Sequence, residues 1–160
     1  MQYLIIGDVH ADYPPLERAI NYALSNDLHL ISVGDIVDGK EDGAKCVSEL
    51  NKLLDTGKAS IVKGNHEHKI IRALKGANVI LGPPNMKTMA EMNVNPQFAS
   101  DFKHMVEKHC KEYIKLNDTT YITHGGMHPE FWNAEVLTKN MYDTMTVSYT
   151  HLTLPTSHNV

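Results

Sequence analysis

The sequence predicts an α/β domain built on a mainly parallel sheet. Three observations carry that expectation. Short apolar runs alternate with amphipathic stretches of helical period. The first three runs each end at a glycine within two residues: Gly7, Gly34 and Gly64. Polar clusters follow four of the runs: Gly7-Asp8-Val9-His10, Gly34-Asp35-Ile36-Val37-Asp38, Gly64-Asn65-His66-Glu67 and His124-Gly125-Gly126. Strands alternating with helices at this spacing imply βαβ units.

The elements follow in order. Residues 2–6, QYLII, read as a buried strand ended by Gly7. Asp12 is placed to cap a helix with Pro14 and Pro15 in its first turn. Leu16, Ala19, Ile20, Ala23 and Leu24 fall on one face of that helix. Residues 28–33, LHLISV, form the second strand. Residues 41–55 are expected to be helical, with Ala44, Val47, Leu50 and Leu54 apolar and Gly57 as the stop. Residues 59–62 form the third strand, and 66–74 the third helix, stopped by Gly76.

After Gly82-Pro83-Pro84 the rhythm breaks. Residues 83–96 read as a loop containing Met86, Met89 and Met92. Phe98, Phe102, Met105, His109 and Tyr113 then mark an amphipathic helix. We take 83–115 as a helical insertion, either a cap over a site or, the simpler reading, a packed helical hairpin. Residues 119–123, TTYIT, return as a strand before His124.

Length and composition set bounds. A chain of 160 residues suits one domain. A domain of that size buries about 68–70% of its unfolded surface, enough for a real core. A net charge of −4 argues against a broad nucleic-acid face. Cys46 and Cys110 match no metal or redox spacing and read as reduced thiols of a cytosolic protein. The N-terminus lacks the basic segment of a signal peptide, and no run is long enough to span a membrane.

In an open α/β sheet, ligands bind beyond the carboxyl ends of the strands. The four clusters therefore converge on one sheet edge. They bring together Asp8, His10, Asp35, Asn65, His66 and His124. Carboxylate, imidazole and amide oxygen without thiolate suit Mn, Fe, Zn or Mg. One ion needs three or four ligands. Five or six suffice for two ions if one carboxylate bridges them. Taken singly, each residue has a plainer explanation: an Asp behind a strand usually caps a helix, and Gly-Gly is usually a turn. Four clusters, each behind a strand, are not explained that way.

The motifs D-x-H (8–10), G-D-x-x-D (34–38), G-N-H-E (64–67) and H-G-G (124–126) resemble those of the calcineurin-like metallophosphoesterase superfamily. The resemblance covers residues 3 to about 132. It lies closest to bacteriophage and bacterial serine/threonine protein phosphatases and the symmetrical diadenosine tetraphosphatases. It implies a β-sandwich flanked by helices (αββα) and two divalent ions, with Mn favoured and Fe, Zn, Ni or Mg as alternatives. It also implies hydrolysis of a phosphate ester by a metal-bridging hydroxide in a bacterial or phage-infected cytoplasm. Asp8 and His10 would bind the first metal, Asp35 would bridge, and Asn65 and His124 would bind the second. His66 would protonate the leaving group, oriented by Asp38. Glu67 would sit behind the ligands, and His68 would be incidental. The substrate would be phosphoserine or phosphothreonine in a protein, or a dinucleoside polyphosphate. Neither a membrane nor an obligate nucleic-acid partner is expected.

This sequence departs from the family pattern in several places. Residues 37–40 read V-D-G-K where relatives carry V-D-R-G with a phosphate-binding Arg. Lys40 and Lys63 are the candidate replacements, although Lys lacks the bidentate fork of Arg. Ala11 stands where Gly is usual, which is tolerable unless φ is positive there. The late Gly-His that completes the second metal site is absent: His128 is too near His124, and His151 and His158 lie in the segment 147–160, VSYTHLTLPTSHNV. We expect a domain over 1–145 that is incomplete at its C-terminus, followed by a foreign, unstructured tail over 146–160. A natural, disordered terminus is the alternative. The rival functional class is a non-catalytic metal- or phosphate-binding fragment lacking the last ligand. A Rossmann reading fails, because no G-x-G-x-x-G follows the first strand.

Overall fold

The computed structural model describes residues 1–126. The expectations for His128, His151, His158 and the tail lie outside them.

Four strands form a parallel sheet in the order β1 (Tyr3–Ile6), β2 (His29–Ser32), β3 (Ala59–Val62) and β4 (Cys110–Lys111). Helix α1 (Tyr13–Ser25) joins β1 to β2, and α2 (Gly43–Asp55) joins β2 to β3. Between β3 and β4 run α3 (Asn65–Leu74), α4 (Pro83–Val94), α5 (Pro96–His104) and a π-helical segment, Met105–His109. An antiparallel pair, β5 (Ile114–Asn117) and β6 (Thr120–Ile122), makes a second sheet.

Alternation along the strands splits the core in two. Leu30 and Ile61 point into the larger cluster, with Leu16 and Ile20 of α1, Val47 and Leu50 of α2, and Phe98 and Phe102 of α5. Their neighbours Ile31 and Val62 point the other way and pack with Ile122 of β6. Helices thus cover one face of the parallel sheet and the small antiparallel sheet covers the other. This is the mixed α/β arrangement of the expected fold class.

Several boundaries differ from the sequence reading. Asp12 occupies the N-cap of α1 but makes no side-chain cap bond. A cap carboxylate bonds the N–H of N2 or N3, and those positions are Pro14 and Pro15, which have none. Residues 83–94 are a helix, not a loop. Gly82 is its N-cap, Pro83 and Pro84 fill its first turn, and Asn85 accepts from the Gly82 N–H. Gly-Pro-Pro was read as a break, yet proline at the first helical positions starts a helix. The amphipathic helix ends sooner than its pattern implied. Phe98, Phe102 and Met105 are buried as expected, but the chain passes through the π segment into β4 before Tyr113. β4 and β5 were not anticipated: β4 has only two residues, too few for a pattern, and β5 begins within the stretch taken as a helical insertion, although its Ile114-Lys115-Leu116-Asn117 alternates. The α4–α5 pair packs against α2 and α3 as a helical hairpin.

Phe102 is fully buried between α5 and α2. Phe102→Ala should lower stability by about 3–5 kcal/mol in chemical denaturation, through lost apolar contact and the cavity left behind.

Candidate metal centre

The parallel sheet delivers the ends of β1, β2 and β3 to one edge, and the loops behind them are tied by backbone bonds. The Val9 and His10 N–H groups donate to the Asp35 carbonyl at 3.0 and 2.8 Å, and the Ala11 N–H donates to Ile36 at 2.8 Å. Gly34 and Gly64 touch back to back. A Cβ on Gly34 would lie 2.5 Å from the Gly64 nitrogen, and one on Gly64 would lie 2.1 Å from Asp35 Oδ1. Only glycine permits this approach of the second and third loops.

Glu67, fully buried, fastens the same junction. Its Oε2 accepts from the Asp35 and Gly64 N–H groups at 2.7 and 3.0 Å, and Oε1 accepts from Ile36 at 2.8 Å. Burial, with the Asp35 charge nearby, pushes its pKa up, while the three N–H donors pull the other way.

The backbone here is strained. His10, Ala11, Asp35 and Asp38 all have positive φ, at 48°, 57°, 49° and 68°. Such residues cost on the order of 1–3 kcal/mol each and persist where surrounding bonds over-determine them. Ala11 therefore carries the steric cost that Gly would avoid.

The side chains converge on the edge in two groups that share Asp35. Asp8, Asp35 and His124 form one, and His10, Asp35 and His66 the other. His124 Nε2 lies 3.5 Å from Asp35 Oδ2 and 2.8 Å from Asn65 Oδ1. His10 Nε2 lies 3.7 Å from Asp8 Oδ2. His66 Nε2 lies 3.8 Å from Asp35 Oδ2, and its Nδ1 lies 2.6 Å from Asp38 Oδ2. That hydrogen bond, above all, raises the His66 pKa against the lowering effect of burial, with the Asp35 charge adding to the rise.

A model of the calcineurin-like phosphoesterase family matches residues 1–157. The chain belongs to that family. It is 28% identical over 142 residues to the asymmetrical bis(5'-nucleosyl)-tetraphosphatase PrpE of Oceanobacillus iheyensis, covering 79% of this chain and 57% of that protein. It is 26% identical over 145 residues to the protein of the same name from Halalkalibacterium halodurans, covering 81% and 59%. The chain thus spans less than two thirds of the length of these relatives. They carry the asymmetrical designation, where the motifs resembled the symmetrical enzymes. A metallophosphoesterase structure from Sphaerobacter thermophilus aligns with a TM-score of 0.45 at 24% identity, over 74% of this chain and 44% of that one.

The family implies divalent metal ions, and the residues of this chain fit them. His124 Nδ1 donates to the Val33 carbonyl at 2.8 Å, and His10 Nδ1 to the Asp38 carbonyl at 2.9 Å. With Nδ1 holding the proton, each Nε2 lone pair is turned toward the carboxylates and, for His124, toward the Asn65 oxygen. Acceptors facing acceptors is the arrangement a cation satisfies, and a ring N–H on a carbonyl is the usual companion of a metal-ligating His.

The two lysines fare differently. Lys40 is exposed on the Asp38 loop, its N–H bonded to the His10 carbonyl. The Lys63 ammonium pairs with Glu112 beside β4. The sequence reading missed two residues of α4. Asn85 Nδ2 donates to Asp38 Oδ2, and Thr88 Oγ1 donates to Asp38 Oδ1. Both are buried. Two polar, weakly helix-forming residues three apart on the buried face of a helix were the available signal.

Glu67→Gln puts an NH2 group against at least one of three backbone N–H donors. We expect a loss of about 1–3 kcal/mol, read from the shift of the urea midpoint.

Proposed function

We propose that the protein hydrolyses a phosphate ester with the aid of two divalent ions, Mn²⁺ being the expected pair. The observation that carries this reading is the pairing of a shared carboxylate, Asp35, with a histidine clamped by a second carboxylate, Asp38. Asp8, His10 and Asp35 would hold one ion, and Asp35, Asn65 and His124 the other; Asp8, grouped above with His124, also lies 3.7 Å from His10 and stands between the two. Bound there, the ions would supply positive charge to the phosphoryl oxygens and lower the pKa of water.

The remaining steps belong to the chain's own side chains. His66, protonated and held at Nδ1 by Asp38, presents Nε2–H and would donate it to the leaving oxygen. Asn85 and Thr88 keep both Asp38 oxygens occupied and so fix the plane of the His66 ring. Lys40, exposed on the Asp38 loop, would offer its ammonium to a substrate phosphate. Lys63 is less suited, because Glu112 already engages it. The names of the relatives favour a dinucleoside polyphosphate over a phosphoprotein as substrate. No helix among the described residues is long and apolar enough to cross a membrane.

The test is hydrolysis of diadenosine tetraphosphate and p-nitrophenyl phosphate by chelator-stripped protein titrated with Mn²⁺. Activity should rise with metal and vanish in Asp35→Asn. A folded, metal-loaded chain without activity, or an active Asp35→Asn, would overturn the proposal. His66→Ala should lower kcat by about 10²–10⁴-fold, the range for a general acid. Asp38→Asn should lower it by up to about 10⁴-fold, and by no more than His66→Ala, as expected for a carboxylate that orients a proton-transferring imidazole. Steady-state kinetics on the metal-saturated variants would check both.

A further inference from the structure

A third cluster of ligand-type side chains lies away from the site above. Asp55 ends α2, His104 ends α5, and His109 ends the π-helical segment. The α2 C-terminus precedes β3 and the π segment precedes β4, so this cluster sits at the amino edge of the parallel sheet. The proposed phosphoesterase site occupies the opposite, carboxyl edge.

The local backbone makes the cluster. Residues five apart diverge by about 140° around an α-helix, at 100° per residue. The π segment widens the turn, and its i→i+5 closure returns His109 to the side of His104. The two rings meet edge to face with centroids 5.3 Å apart. Such π segments occur often at functional sites.

The ligand atoms then converge. His104 Nε2 stands 2.9 and 3.2 Å from the two Asp55 oxygens, and His109 Nε2 stands 2.9 Å from Oδ1. All three residues place one ligand atom within 4.8 Å of the others. Bonds of about 2.0–2.1 Å in a tetrahedral site set ligand atoms about 3.3–3.4 Å apart. The two histidine–aspartate separations need to open by only a few tenths of an ångström. Moving the proton of each ring from Nε2 to Nδ1 would turn both lone pairs on one point.

Without an ion, Asp55 Oδ1 receives both histidines and also Lys108 Nζ at 2.9 Å. Three donors exceed the two lone pairs of one carboxylate oxygen. Those donors, Lys108 foremost, hold the Asp55 carboxyl well below the usual range. His109 is mostly covered, while His104 and Asp55 keep solvent access, which leaves coordination positions for water.

We propose that Asp55, His104 and His109 form a separate binding site for a divalent late transition metal, Zn²⁺ above all, that ties the end of α2 to the π segment. Two imidazoles and one carboxylate suit Zn²⁺ better than Mg²⁺ or Ca²⁺. Lys108 would be its competitor and must leave Oδ1 for the ion to bind.

The test measures Zn²⁺ bound by the chelator-stripped full chain in equilibrium dialysis. Wild type is compared with the His104→Gln/His109→Gln double variant and with Lys108→Ala, all checked for native circular dichroism. Wild type should hold one Zn²⁺ equivalent more than the double variant. Lys108→Ala should bind that equivalent about fivefold more tightly, as expected for removing one unit charge at the surface. A purely structural ion cluster predicts no such equivalent in either protein, and losing Lys108 would only weaken its cohesion. Equal stoichiometry in wild type and double variant would overturn the site, as would unchanged or weaker binding in Lys108→Ala. The readout counts ions and not turnover, so it stands or falls separately from the hydrolytic proposal.

Discussion

Three backbone N–H groups converge on one buried carboxylate, and the geometry of the candidate centre depends on that convergence. Glu67 belongs to the first turn of α3, yet its oxygens bind the loop behind β2 as well as the Gly64 N–H of its own cap. A carboxylate at this helix position ordinarily makes a capping box. Here the same group reaches across to a second loop. It fixes Asp35 relative to Asn65 and His66 and absorbs donors that would otherwise be buried unpaired. Positive φ at Asp35 is sustained by this hold and by the glycine contact beside it. Strain in the ligand loops is thus offset by bonds outside the ligand set.

That architecture was legible in the sequence to an uneven degree. The first three strands and three helices were readable because glycines punctuate strong apolar periods. The convergence of Asp8, His10, Asp35, Asn65 and His66 followed from strand order alone, since parallel strands deliver their carboxyl ends to one edge; His124 reaches the same edge differently, from β6 of the antiparallel pair packed on the sheet face. The support around them was not readable. Glu67 looked like a residue behind the ligands, and nothing in its position announced three backbone bonds across two loops. Asn85 and Thr88 fell in a stretch taken for a loop, and they meet Asp38 across about fifty residues of chain. Local pattern does not report such pairings.

The hairpin of α4 and α5 illustrates why the segment after Gly82 matters. Phe98, Phe102 and Met105 bury its seam against α2, so the hairpin is part of the core and not a detachable lid. That seam holds α4 at a fixed height above the Asp38 loop. Asn85 is itself held at the helix start by the Gly82 N–H, which leaves its NH2 aimed at the carboxylate. A packing decision far from the sheet edge therefore becomes an orientation constraint on one histidine.

The partners of three histidines then divide them by chemistry. His10 and His124 present Nδ1 to neutral backbone carbonyls. A carbonyl fixes the tautomer and ring orientation without favouring a positive ring, which leaves a lone pair at Nε2. His66 presents Nδ1 to a buried carboxylate that also accepts from Asn85 and Thr88. A carboxylate partner favours the imidazolium, and the pKa of His66 is raised accordingly. The same residue type therefore stands in two electrostatic settings within one cluster. Although His66 lies close enough to Asp35 to be grouped with His10 as a ligand, its Asp38 partner favours the ring in the state that donates a proton. That difference in partner, and the charged state it favours, is the physical ground on which we propose proton transfer for His66 and metal binding for the other two.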